Sequence, residues 1–279
     1  MLICPPDAPG RVRRLEVAPA AFLETVEKAT WEIRAGTPSS SSEHCDRLRR
    51  WLLPDGDPRT PRFLLLSDGL LNGIPLAALT GQACVPPVEV PLLVDTPITA
   101  HRPSTGADRR QIISTHQLDA AQRHGVQGGV LESEAVTWEN IKSMTGRPHG
   151  LLHVAADATH KQGTGWLMLA DGPRNATDIA SLSLSGKPVV LLSSCRSGSR
   201  ETHYGIDHAL AEGFLRAGAP AVITTRWFVQ QQEIRHFEQL IHRAWPFEDI
   251  TGAVHRACDQ LREQGHPARL WAAPIVYHR

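Results

Sequence analysis

Along the second half of the chain the apolar positions switch between two periods. Pro188-Val189-Val190-Leu191-Leu192 is a continuous apolar run, the pattern of a central parallel strand buried on both faces. Ile206, Leu210, Phe214 and Ala217 then recur at helical spacing and are closed by Gly218 and Pro220, the usual stop signals. Ala221 to Thr225 reads as strand again, as do residues 150–156 upstream, which follow a helix expected from Leu131 to Met144. Two more helices are expected, one carrying Ile234, Phe237 and Ile241 and stopping before Pro246, the other carrying Ile250, Val254 and Leu261 and ending near Gly265. Read as β-α-β-α-β-α-α, this half predicts an α/β fold: three layers, α/β/α, with a mainly parallel sheet. The strands ending near Ala156 and Leu192 are expected to be adjacent and parallel.

The first half is less regular. Residues 16–52 read as two helical segments interrupted by Gly36-Thr37-Pro38 and Ser39 to Ser42. Arg62 to Ser67 is a candidate strand closed by the turn pair Asp68-Gly69, with further candidates at Pro91 to Val94 and Gln111 to Ser114. There is no internal repeat. The expected organisation is an N-terminal helical segment, residues 1–60, packed on a unit spanning 61–279.

Composition narrows the function classes. Lys plus Arg equal Asp plus Glu at 29 each, so no global field favours nucleic acid or an anionic membrane. The apolar runs fall far short of the roughly 20 residues needed to cross a bilayer, and the start Met1-Leu2-Ile3-Cys4-Pro5-Pro6 lacks the features of a signal peptide. A cytoplasmic protein is expected. Five cysteines (Cys4, Cys45, Cys84, Cys195, Cys258) without a C-x-x-C pair argue against a disulfide framework or a cysteine zinc site. No phosphate-loop or dinucleotide motif is present, and no cofactor or metal is expected.

In open parallel sheets, sites form beyond the carboxyl ends of the strands. Strand 150–156 delivers Asp157, with His160 three residues on; strand 188–192 delivers Ser193-Ser194-Cys195-Arg196-Ser197-Gly198. Small polar residues and a glycine after a strand mark an open loop, which makes Cys195 a candidate nucleophile rather than a packed thiol. Cys258, in line with the apolar face of its helix, reads as structural. His153 shares strand parity with Asp157 but lies about 13 Å back along the strand, which makes it a core histidine. His153, Asp157 and His160 fit no metal-ligand spacing.

The sequence resembles the CHAT family of caspase-like cysteine peptidases, in the clan of caspases, separases and gingipains. The resemblance covers about residues 60–279. It is carried by His153-Val154-Ala155-Ala156-Asp157-Ala158, Leu191-Leu192-Ser193-Ser194-Cys195, Arg216-Ala217-Gly218-Ala219 and Thr225-Arg226-Trp227. Upstream, Leu66-Ser67-Asp68-Gly69-Leu70 and Ile74-Pro75-Leu76-Ala77-Ala78-Leu79 are similar to the family's Pro-Asp-Gly-x-Leu and Ile-Pro-Phe-x-x-Leu segments.

The resemblance implies a caspase-like sheet and endopeptidase chemistry, with Cys195 attacking a peptide carbonyl, a histidine as its base, and Ser194, Arg226 and Trp227 near the substrate. The partner it implies is a protein, either substrate or regulatory chain. At the base position the chain departs from the family: the second histidine of His-x-x-x-His-Gly is Asp157, and the glycine is Ala158. Reference pKa values of about 3.9 for an aspartate and 8.5 for a thiol put proton transfer about 6 kcal/mol uphill. Three alternatives stand. The loop 158–160 folds back so that His160 acts as base; the protein is a degenerate peptidase, an interaction or regulatory module of a bacterial signalling or defence system; or the aspartate is itself a replacement.

Overall fold

A computed structural model describes residues 2–3, 11–12, 17–36, 42–52, 88–89, 109–119, 123, 126, 129–161, 164–194, 206–247 and 249–278. The candidate strands at 62–67 and 91–94, the segment 66–79, and Cys4, Cys84 and Cys195 lie outside the described residues.

In chain order the strands are β1 (Leu2–Ile3), β2 (Arg11–Val12), β3 (Val88–Glu89), β4 (Arg110–Ser114), β5 (Val130–Glu132), β6 (Leu151–Ala156), β7 (Ala158–Lys161), β8 (Thr164–Leu169), β9 (Gly172–Asn175), β10 (Val189–Ser194), β11 (Ala221–Thr225) and β12 (Pro274–His278). The helices are α1 (Pro19–Arg34), α2 (Glu43–Leu52), α3 (Trp138–Thr145), α4 (Ala176–Ala180), α5 (Ile206–Arg216), α6 (Gln231–Arg243), α7 (Ile250–Glu263) and α8 (Ala268–Trp271).

The central sheet has the order β3-β12-β11-β10-β6-β4-β5. Every pairing in it is parallel except β11 with β12. As expected, β6 and β10 are neighbours and parallel, Val189 opposite Leu151 through Ser194 opposite Ala156. Alternation sorts their side chains onto two faces. Leu151, Val189, Leu191, Ala221 and Ile223 pack with α6, α7, α8 and the apolar stripes of α1 and α2 in one buried cluster. Leu152, Val154, Val190, Leu192 and Val222 pack with α3, α4 and α5 in the other. The result is the expected three-layer α/β/α arrangement. Each fully buried aliphatic side chain contributes about 1.5–3 kcal/mol, and the central strands place one on each face at nearly every step.

Three expectations need correction. The helix expected over Leu131 to Met144 is not continuous: Val130–Glu132 pairs with β4 as an edge strand, Ser133 turns the chain at φ 53°, and α3 starts after Thr137, whose hydroxyl accepts from the Asn140 N–H. Sheet pairing overrides a short helical pattern there, and the Ser/Thr cap fixes the later start. The expected regular alternation is broken between β6 and β10 by an antiparallel meander, β7-β8-β9. Gly172, at φ 116°, is the left-handed residue that opens β9 after the turn from β8. The expected loop at 158–160 is strand β7, paired antiparallel with β8. The C-terminal strand β12 was not expected at all. It is read only through its pairing on β11, Ala221 opposite His278 through Thr225 opposite Pro274.

Among the described residues, no helix is long and apolar enough to cross a membrane.

Candidate functional site

Three adjacent parallel strands, β4, β6 and β10, reach the same level at their carboxyl ends. Ser114 is opposite Ala155, and Ala155 is opposite Ser193. By strand alternation, Ile112 and Ser114 on β4, His153 and Ala155 on β6, and Leu191 and Ser193 on β10 share the face covered by α6. Helix α6 meets this face with two parallel stripes. Ile234, Phe237 and Ile241 enter the core. Gln231, Arg235, Glu238 and His242, at i, i+4, i+7 and i+11, form a polar stripe beside them.

At the inner end of that stripe the polar groups satisfy one another. His153, 2% exposed, has its Nε2 3.2 Å from Ser193 Oγ and 3.5 Å from Glu238 Oε1, and its Nδ1 3.1 Å from His242 Nε2. The two imidazole rings lie 5.1 Å apart, centre to centre. Arg110 Nη1 donates to the His242 carbonyl oxygen at 3.3 Å. Glu238 and His242 are buried as well. A buried carboxylate is tolerated only with such partners, so His153 is a core histidine that ties β6 to β10 and to α6.

At the outer end the stripe lines a cavity of about 20 Å³, bounded by Ser114, His116 and His153 from the sheet side and Gln231, Arg235 and Glu238 from the helix. That is room for roughly one water. Arg235 Nε is buried, with no hydrogen-bond partner among the described residues.

Asp157 sits between β6 and β7. Its N–H donates to Thr115 Oγ1 at 3.3 Å, its carbonyl accepts from the Met168 N–H at 2.8 Å, and the Thr115 N–H donates to the Ala155 carbonyl at 3.1 Å. These bonds stitch the turn after β4 to the turn after β6. They bring His116 Nε2 to 3.5 Å from Asp157 Oδ1, an oxygen that is buried and has no hydrogen bond among the described residues.

The remaining candidates are placed as follows. Ser194 ends β10, its backbone opposite Ala156, and Cys195 is the next residue in the chain. His160 lies within β7, opposite Gly165. Arg226 is largely buried past the end of β11, its N–H donating to the Ala273 carbonyl at 2.8 Å. Trp227 belongs to the core on the α6 side, its indole N–H donating to the Arg269 carbonyl at 2.8 Å. The structure therefore brings Asp157 and Ser194 to neighbouring strand ends and seats Trp227 in the core. Among the described residues, no group of three His, Cys, Asp or Glu side chains is placed to hold a metal.

Sequence reasoning missed His116, Arg235, Glu238 and His242. The one signal available was the polar stripe at 231, 235, 238 and 242 running beside the apolar one. His116 had none, because only the parallel pairing of β4 on β6 brings it to Asp157.

Away from the site, the Cys258 thiol has its pKa pushed up by burial and secondarily by Asp259. Cys45 is also raised, chiefly by burial. Both thiols are free. His149 is held below the ordinary imidazole range by burial, partly offset by its 2.7 Å contact to the Arg147 carbonyl. Gly186 leaves it room: at φ 81° a Cβ there would stand 2.8 Å from the His149 carbonyl oxygen.

A family model described as the CHAT domain matches residues 99–279. No curated protein sequence matches. Among solved structures, the chain is similar to separase in the Saccharomyces cerevisiae separase–securin complex, with 15% identity over 61% of this chain and 12% of that one at a TM-score of 0.40. It is also similar to the complex of Porphyromonas gingivalis RgpB pro- and mature domains, with 11% identity over 61% of this chain and 47% of that one at a TM-score of 0.41. The chain thus spans 12% and 47% of the lengths of those two solved chains.

Proposed function

Because this chain belongs to the CHAT-domain family, we propose that it is a degenerate caspase-like cysteine peptidase that binds a protein segment at the carboxyl ends of β6 and β10. One observation carries the reading: a carboxylate, Asp157, follows the end of β6 beside the end of β10, where the motif resemblance puts the base. A carboxylate is too weak a base for a thiol, and its charge disfavours a thiolate nearby. The site keeps the surface and loses the proton acceptor. The setting we propose is cytoplasmic and reducing, in keeping with free Cys45 and Cys258.

A second reading is favoured by one specific contact. His116 Nε2 lies 3.5 Å from Asp157 Oδ1, so β4 supplies an imidazole at the place where β6 lacks one. In that case Cys195 is an active nucleophile and Asp157 orients the base, as the carboxylate does in a triad. His160 is the less apt source, because β7 carries it about 10 Å along an extended strand from Asp157.

Iodoacetamide rates at Cys195 against pH decide between the two in the native chain, Asp157→Asn, Asp157→His, His116→Ala and His160→Ala. The degenerate reading expects slow alkylation at neutral pH, accelerated more by Asp157→His than by Asp157→Asn. A native Cys195 with an apparent pKa well below about 8, lost in His116→Ala or in His160→Ala, would overturn it.

A further inference from the structure

We propose that the outer face of α1 is a two-fold interface with a second copy of this chain. The two α1 helices lie antiparallel in it, with their Trp31 rings side by side and Glu27 of each copy opposite Arg34 of the other. The inference is independent of the reading above, since α1 (Pro19–Arg34) precedes residues 99–279, which the family model matches.

The inner face of α1 is fixed. Val26, Ala29 and Ile33 belong to the buried cluster on the α6 side, and Thr25 and Thr30 are buried beside them. The helix is therefore a firmly seated ridge whose other face meets solvent. On that face Trp31 is 69% exposed, beside a groove of about 560 Å³ lined by Glu27, Lys28, Thr30, Glu32, Arg34 and His44. Tryptophan carries a large apolar ring and is enriched in the desolvated centres of interfaces. The ring says that something covers this face; the charges around it say what.

Most of those charges are already matched within the chain. Lys28 Nζ lies 2.6 Å from Glu24 Oε1, one turn back. Glu32 holds His44 Nδ1 at 2.8 Å and accepts from Ser42 Oγ. Glu27 and Arg34 are exposed and have no ion pair among the described residues. They are seven residues apart, two helical turns, so they share one face about 10 Å from each other. Trp31 stands between them, four residues after the acid and three before the base. The midpoint of the pair falls between Thr30 and Trp31. A half-turn about an axis through that point, perpendicular to the helix, lays each carboxylate on the other copy's guanidinium, which takes it through two parallel N–H donors. The same half-turn brings the two indoles together at the axis. A parallel alignment would instead oppose acid to acid and base to base. Such self-complementarity is what a two-fold interface requires of its single patch. The face is 16 residues long, about 24 Å, which places the contact among small, weak interfaces rather than obligate ones.

The test is sedimentation equilibrium of the full chain from about 5 to about 500 µM, a range suited to weak association. The expected result is a reversible monomer–dimer equilibrium that Trp31→Ala weakens at least about tenfold. Glu27→Arg alone and Arg34→Glu alone should each be monomeric, because each opposes like charges at both contacts. Mixing these two variants should recover a one-to-one heterodimer, and the double variant carrying both changes should recover the homodimer. Exposed substitutions of this kind leave the fold in place, and a urea midpoint for each variant verifies it. A native chain that is monomeric throughout the range would overturn the proposal. So would a dimer indifferent to Trp31→Ala, single reversals that associate like the native chain, or a mixture and a double variant that both stay monomeric.

Discussion

His116 Nε2 lies 3.5 Å from Asp157 Oδ1, across two strand ends that are level because β4 pairs with β6 in parallel, Ser114 opposite Ala155. An imidazole and a carboxylate thus meet just past the end of β6. The pair is about one third exposed on each side, so its worth to stability is small, well under about 1 kcal/mol after solvent screening.

His116→Ala should therefore change stability by less than about 1 kcal/mol and leave alkylation of Cys195 as slow at neutral pH as in the native chain. Urea midpoints and iodoacetamide rates on the same two proteins check this.

Glu238→Leu removes the carboxylate beside His153 and leaves the buried His153 and His242 rings to share what remains. Removing one partner of a buried polar contact leaves the other unsatisfied and costs about 1–3 kcal/mol, and the loss should appear as a lower urea midpoint with an unchanged slope. A Glu238→Leu protein as stable as the native chain would show that the histidine pair does not depend on the carboxylate.

His149 gives a pH signature. Its pKa is lowered in the folded protein, mainly by burial, so the unfolded chain binds the proton first. The stability that the neutral ring supports is present above the unfolded value of about 6.5 and is lost as pH falls through the lower folded value. His149→Leu should flatten this acid-side loss and cost about 1 kcal/mol at pH 7 for the missing contact to the Arg147 carbonyl. Thermal unfolding of both proteins between pH 5 and pH 7.5 supplies the comparison.

Cys258 and Cys45 should stay unlabelled by a thiol reagent in the native state and react on unfolding, since burial raises both thiols. Mass spectrometry of briefly labelled native protein checks both positions. Rapid native labelling of Cys258 would contradict its place in the core on the α6 side.

The sequence by itself determined the elements whose period is strong. The run Val189 to Leu192 had to be a central strand, because a segment apolar on both faces needs cover on both. Ile234, Phe237 and Ile241 had to face a core. The stop at Gly218 fixed the end of α5, and the small polar residues expected to follow the strand at 188–192 marked Cys195 as the candidate nucleophile. What tertiary structure decided is what depends on pairing between distant segments. The edge strand 130–132 exists because β4 lies beside it, and β12 because β11 offers a free edge. His116 is 41 residues from Asp157 in the chain, and His242 is 89 from His153. No periodicity encodes either contact, since each comes from the register of one element on another. Asp157 was legible in the sequence as the residue that ends its strand; the imidazole beside it was not.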